Sequence, residues 1–233
     1  MPLDQVLTAE ILREVVLATE PDTRTRQRFC MVTKALATFA GIEFDAQSYR
    51  GKYSPKHVTP RDLPDDRPIA EWYYKISNPA WQWIYGAIAT YGLRPHEAFY
   101  LDLADFPIVT VTEGKTGRRR VWPCYPEWAE QFNLRDRKLP AVTGRNNSEL
   151  GERAAKYFKR VGLPFVLYDL RHCWAVRTLE FGLDISLASQ QMGHAVQVHT
   201  DLYHAWISER HHQRAYEAIM MRSDRPKAPI IIP

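Results

Sequence analysis

The sequence is poor in cysteine, with three among 233 residues, and Cys30, Cys124 and Cys173 form no Cys-x-x-Cys pair. That argues against a disulfide framework and against a structural zinc site, and it predicts a reducing compartment. No apolar run approaches the roughly 20 residues needed to span a bilayer, so no membrane association is expected. Met1-Pro2-Leu3-Asp4 lacks the basic-then-apolar order of a secretory leader. Charge of one sign is not in large excess. The net charge is +4, which permits a nucleic-acid partner without requiring one. Hydrophobic residues at 45% and charged residues at 25% give a globular composition, not a disordered one. Internal repeats and low-complexity tracts are absent from the sequence.

What is present divides the chain in two. Leu7, Ile11, Val15 and Leu17 have helical spacing, and a second amphipathic run from Phe29 to Phe39 stops at Gly41. Residues 1–65 carry nine Lys/Arg against nine Asp/Glu, so this part has no net charge. The proline-rich, charged stretch Pro60 to Pro68 is the linker candidate. It separates a short helical region, 1–60, from a larger domain, 68–233. In the larger part, Ala80 to Tyr91 predicts an apolar helix ended by Gly92, and Pro95 predicts another helix running through Leu103. Ile108–Thr112 and Arg118–Trp122, joined by a Gly-rich turn, predict a β-hairpin. Helices are expected over 148–161, 169–181, 185–192 (capped by Asp184 and ended by Gly193) and about 208–221. The tail from Ala228 to Pro233 reads as an extended arm, either frayed or packed on a second copy. The fold class is mainly α with a small antiparallel sheet.

Two arginines occupy unusual places. Arg94 precedes Pro95 at a helix mouth, and Arg171 lies in the first turn of another helix. A cation there opposes the helix macrodipole by roughly 0.3–1 kcal/mol. Either each arginine sits in an ordinary ion pair, or an anion joins the two. The hairpin adds four cations against one anion over 111–120: Lys115, Arg118, Arg119 and Arg120. Such a tip can reach a phosphate or a DNA groove, or simply be a solvated face. Residues 135–160 hold a second excess, eight cations to three anions. Tyr168 and Arg171, three apart, share one helix face. His172 is turned away by about 100° and reads as a packing or capping residue. The histidines near the end, from His194 to His212, do not recur with carboxylates or cysteines at metal-ligand spacing, so no metal site is expected.

Taken together these residues resemble the tyrosine recombinase (phage integrase) family over roughly 68–221. The matching pieces are Gly92-Leu93-Arg94 with Glu97 downstream, Gly114-Lys115-Thr116-Gly117 on a hairpin turn, Leu170-Arg171-His172, Gly193-His194, and Tyr203 nine residues later. One departure stands out: the family's usual histidine three residues before the second arginine is Tyr168 here. A phenol with a pKa near 10 is a poor base at neutral pH. The region 1–60 is also short for the family's helical core-binding domain.

The resemblance implies the family's catalytic fold and an enzyme that breaks and rejoins DNA at specific sites through a 3′-phosphotyrosine. Tyr203 would be the nucleophile, with Arg94 and Arg171 the phosphate clamp. His194 would be a further donor, Lys115 the general acid, and Tyr168 at most an orienting group. Lys115, Arg118, Arg119 and Arg120 would contact DNA. It implies no metal and no cofactor, because guanidiniums supply the positive charge. The implied partner is double-stranded DNA, engaged by a homo-oligomer, a tetrameric synapse, in a cytoplasmic, nucleoid-associated setting. Two alternatives remain: a non-catalytic DNA-binding protein on the same scaffold, and a nicking-closing enzyme of the type IB topoisomerase kind.

Overall fold

The computed structural model describes residues 6–54, 62–114, 116–203, 206 and 209–227, with side chains in the last segment from 212 onward. It forms two compact units, 1–59 and 60–233. In the first, α1 (Ala9–Leu17) and α2 (Arg24–Ala40) are each opened by a threonine. The side-chain oxygens of Thr8 and Thr23 accept from the backbone N–H of Ile11 and Arg26. Gly41 ends α2 in the left-handed conformation, φ 67°. Leu12, Val16, Cys30 and Ala37 are buried between the helices. Arg26 is buried too. Its Nε donates to Thr19 Oγ1 at 2.8 Å and its Nη2 reaches the carbonyls of Leu17 and Thr19, so a cation sits at the C-terminal end of α1, where the dipole favours it. Phe29, Met31, Val32 and Phe39 remain exposed along α2.

The second unit is built around α4 (Pro79–Tyr91), buried on almost every side. Asn78 caps it, Pro79 fills its first position, and Gly92 ends it at φ 62°. α3 (Asp66–Lys75), α5 (Pro126–Gln131) and α7 (Asp169–Glu180) pack against α4. α3 begins inside the stretch read as linker. Its Asp66 accepts from buried Arg177 of α7 at 2.7 Å, and Arg177 Nη1 donates to Ala89 O in α4 at 3.0 Å. This ties three helices together and gives those linker residues a reason to be ordered. Buried aromatics satisfy their polar ends on backbone carbonyls: Tyr85 on Ile69 at 2.9 Å and Trp83 on Leu134 at 3.0 Å.

The sheet is antiparallel, in the order β1 (Leu101–Asp102), β2 (Val109–Val111), β3 (Arg119–Val121). Val109 pairs with Val121 and Val111 with Arg119, so the expected hairpin is there. The helix expected over 95–103 is not. Pro95 leads only to a single 3-10 turn, Glu97–Phe99, after which Leu101 pairs with Val111. Joining the sheet satisfies the backbone and buries Leu101, a gain a surface helix could not offer. α6 (Asn147–Arg160), α8 (Ile185–Met192) and α10 (Glu209–Met221) lie close to their expected bounds. α9 (Val196–Tyr203) was not anticipated. The arm from Ala228 lies outside the described residues.

Gly92 is a sharp constraint. A Cβ there would lie 2.6 Å from the Trp174 ring, in a conformation side chains avoid. Gly92→Ala is therefore expected to destabilise the second unit by about 1–3 kcal/mol or more, read as a lower urea midpoint at unchanged slope.

Candidate active site

α8 ends in three consecutive carbonyls, and each is taken by a different arginine. Arg119 Nε donates to Gln191 O at 2.7 Å, Arg171 Nη2 to Met192 O at 2.5 Å, and Arg94 Nη2 to Gly193 O at 2.9 Å. Arg171 Nη1 also donates to Gly92 O at 2.7 Å, at the end of α4. Arg171 is thus seated at the negative ends of two other helices, which offsets its unfavourable place in the first turn of α7. Gly193, at φ 63°, lets this happen. A Cβ would meet Thr116 Oγ1 at 2.5 Å and the Arg119 side chain at 3.2 Å.

Three guanidiniums this close need an anion, and Glu97 supplies it from the single turn before β1. Its carboxylate accepts from Arg94 Nη1 at 2.8 Å and from both Arg119 Nη groups at 2.9 and 2.6 Å, and it lies 4.0 Å from Arg171 Nη1. The Arg94 backbone N–H adds a bond at 2.8 Å. Burial alone would raise this carboxyl's pKa. The hydrogen bond and charge of Arg119, then the charge of Arg171, outweigh burial and hold it at about 2.

Above the arginines lies a ring cluster. His194, the residue after Gly193, has Nε2 at 3.0 Å from His199 Nδ1. Burial and then the charge of Arg171 depress both imidazoles, His194 to about 3 and His199 to about 4, so both are neutral near pH 7. His199 and Tyr203, one helical turn apart on α9, meet at a 50° tilt with ring centroids 4.7 Å apart. Tyr203 is 2% exposed. Burial pushes its phenol up while Arg171 pulls it part of the way back. Its Oη lies 3.2 Å from His172 Nδ1. The His172 ring stacks on Trp206, at 5.8 Å and 20°, and meets the Tyr168 ring edge-on at 5.2 Å.

The structure therefore brings Arg94, Arg171, His194 and Tyr203 into one cluster. Lys115 lies outside the described residues. The neighbouring Thr116 donates from Oγ1 to Gly193 O at 3.1 Å, so the hairpin turn abuts the cluster. Tyr168 stands at the mouth of α7, 37% exposed. Two expectations are corrected. Arg119 is not a free DNA-facing cation: it is half-buried and committed to Glu97 and the end of α8. His172 does not simply pack or cap: its rotation toward α9 brings it to the Tyr203 phenol. The order Leu170-Arg171-His172 held the signal, but only α9 reveals what lies on that side. Arg118 and Arg120 are exposed and pair with Asp102 at 3.8 Å and Asp105 at 3.0 Å. They border an open groove of about 610 Å³ that runs past Trp122 and Gln190 to His194.

Residues 1–50 match the family model described as the XisA/XisC excisase second domain. Excisase A of Nostoc sp. is 36% identical over 154 residues, 58% of this chain. Tyrosine recombinase XerA of Pyrococcus horikoshii is 27% identical over 201 residues, 79% of this chain and 70% of that protein. In sequence the chain is thus similar to a tyrosine recombinase along most of its length. In fold it resembles the solved XerH site-specific recombinase bound to its difH substrate, with a TM-score of 0.52 over 94% of this chain and 72% of that one, at 16% identity. The chain spans 33% of the length of excisase A and 51% of excisase C from the same organism.

Glu97 makes the cluster sensitive to acid. Its carboxyl binds a proton more weakly folded, at about 2, than at its ordinary value of 4.5. The stability it contributes is present above about pH 4.5 and is lost as pH falls toward 2. Urea unfolding across that window should show this loss in the wild type and a flatter profile in Glu97→Gln. Glu97→Ala should cost about 3–5 kcal/mol, because it leaves buried cations without their anion.

Proposed function

We infer that this chain is a site-specific DNA recombinase that cuts and rejoins double-stranded DNA through a 3′-phosphotyrosine at Tyr203. The carrying observation is the buried Tyr203 phenol, its ring 6.3 Å from that of His194 and in the field of the Arg171 and Arg94 guanidiniums. In the proposed step the Tyr203 oxygen attacks a DNA phosphorus and the bond to the 5′-oxygen breaks. Arg94 and Arg171 stabilise the charge that builds on the non-bridging oxygens. Lys115 gives the 5′-oxygen its proton, and neutral His194 donates an N–H to the phosphate once released from His199. The phosphotyrosine conserves the bond for religation by the incoming 5′-hydroxyl. Arg118 and Arg120, bordering the groove, contact DNA together with Lys115. A homo-oligomer on DNA, a tetramer, would exchange the strands, with 1–60 serving as part of a core-binding module.

In the ligand-free chain Arg171 is 1% exposed and Tyr203 2%. DNA entry must therefore lift α9 and Trp206 from α7. That burial is also what favours the second reading, a DNA-binding protein that does not cut. One experiment separates them. Target duplexes are selected from random DNA by binding, then nicked to trap the intermediate. A covalent adduct in the wild type that is absent in Tyr203→Phe supports cutting, and tight binding without adduct supports the second reading. Arg94→Ala is expected to lower cleavage by about 10²–10³-fold with a much smaller loss of binding.

Lys115 has its own test. A bridging sulfur in place of the 5′-oxygen leaves as a thiolate and needs no proton. Lys115→Ala should cleave the oxygen duplex slowly and the sulfur duplex at close to the wild-type rate. Equal losses on both would remove Lys115 from the acid role.

A further inference from the structure

We propose that His172 is the catalytic residue that accepts the Tyr203 proton, in a position held by Tyr168 and Trp206. This rests on the reading of Tyr203 as nucleophile and adds the group that makes the nucleophile. The phenol needs a proton acceptor at its own oxygen, because only the deprotonated oxygen is a competent nucleophile. Among the described residues His172 Nδ1 is the ring nitrogen in hydrogen-bond contact with Oη, at 3.2 Å. His194 and His199 are turned to each other through Nε2 and Nδ1. Tyr168 is itself a phenol and presents its ring edge to His172.

The ring is well held for the task. Trp206 stacks on one face of His172, and Tyr168 meets it at 67°. These contacts fix the ring plane and so the direction of the Nδ1 lone pair. The hydrogen bond joins α7, which carries Arg171, to α9, which carries Tyr203. The acceptor and the phosphate clamp thus sit on adjacent residues of one helix. The step balances. The Oη–H bond breaks and its proton passes to Nδ1 of His172. The phenolate oxygen bonds to phosphorus, and the phosphorus–O5′ bond breaks with its electron pair on the 5′-oxygen, which takes a proton from Lys115. Religation runs the transfers in reverse, and His172 returns the proton to the departing phenolate. Tyr168 acts through His172 as a positioning residue.

Two measurements test this. In the ligand-free protein, nitrogen-15 shifts should show His172 as the Nε2–H tautomer with Nδ1 accepting, and the Nδ1 resonance should move in Tyr203→Phe. An Nδ1–H tautomer would mean that His172 donates to the phenol, and would overturn the proposal. In the cleavage assay, His172→Phe keeps a ring between Tyr168 and Trp206 but has no lone pair. It should bind DNA as the wild type does and cleave about 10²–10⁴-fold more slowly. His172→Ala should be partly rescued by added imidazole, a response that a packing role would not give. A wild type that forms the adduct while His172→Phe keeps its rate overturns this proposal alone. A wild type that forms no adduct overturns the Tyr203 reading, and this proposal with it.

Discussion

Three adjacent carbonyls at the end of α8, each bound by a different guanidinium, are the constraint on which the rest of the site depends. A helix end leaves its last carbonyls without partners inside the helix. Here Arg119, Arg171 and Arg94 satisfy them from the hairpin, α7 and the end of α4. Glu97 balances the charge that this gathers. Each member is secured by at least two others, so their mutual positions follow from hydrogen-bond geometry and not from loop flexibility. The same contacts fix Gly193, and His194 follows directly in the chain.

Electrostatics then shape the surroundings. A cluster carrying three cations and one buried anion keeps positive potential in a poorly hydrated space, where a charge is felt more strongly than in water. Burial depresses the neighbouring imidazoles and that potential adds to the effect, while at the Tyr203 phenol it partly offsets burial. The apolar body beneath, centred on α4, supplies the rigidity.

Much of this was legible in the sequence where local rules operate unopposed. Gly92 and Gly193 stop α4 and α8 in the left-handed conformation, Asp184 caps α8, and the β-branched runs around Gly114 to Gly117 form the hairpin. Long-range partners decided the rest. Residues 95–103 looked helical from Pro95, but β2 offered Leu101 an edge to pair with. Val196 to Tyr203 is rich in β-branched residues and is a helix because His199 and Tyr203, four apart, both turn inward. Arg119 carried the same charge as its neighbours Arg118 and Arg120. Nothing local distinguishes it, and only Glu97, 22 residues earlier, does so. The contact of His172 with the Tyr203 phenol was illegible for the same reason, since that partner lies 31 residues on.

The shelter over Tyr203 governs how its phenol can meet anything outside the protein. The residue is 2% exposed, the Trp206 ring lies 5.8 Å from its own, and its oxygen is 3.2 Å from His172 Nδ1. A molecule that reaches this oxygen must first part those contacts. Access is thus set by the cost of opening a closed door and not by the shape of a standing pocket.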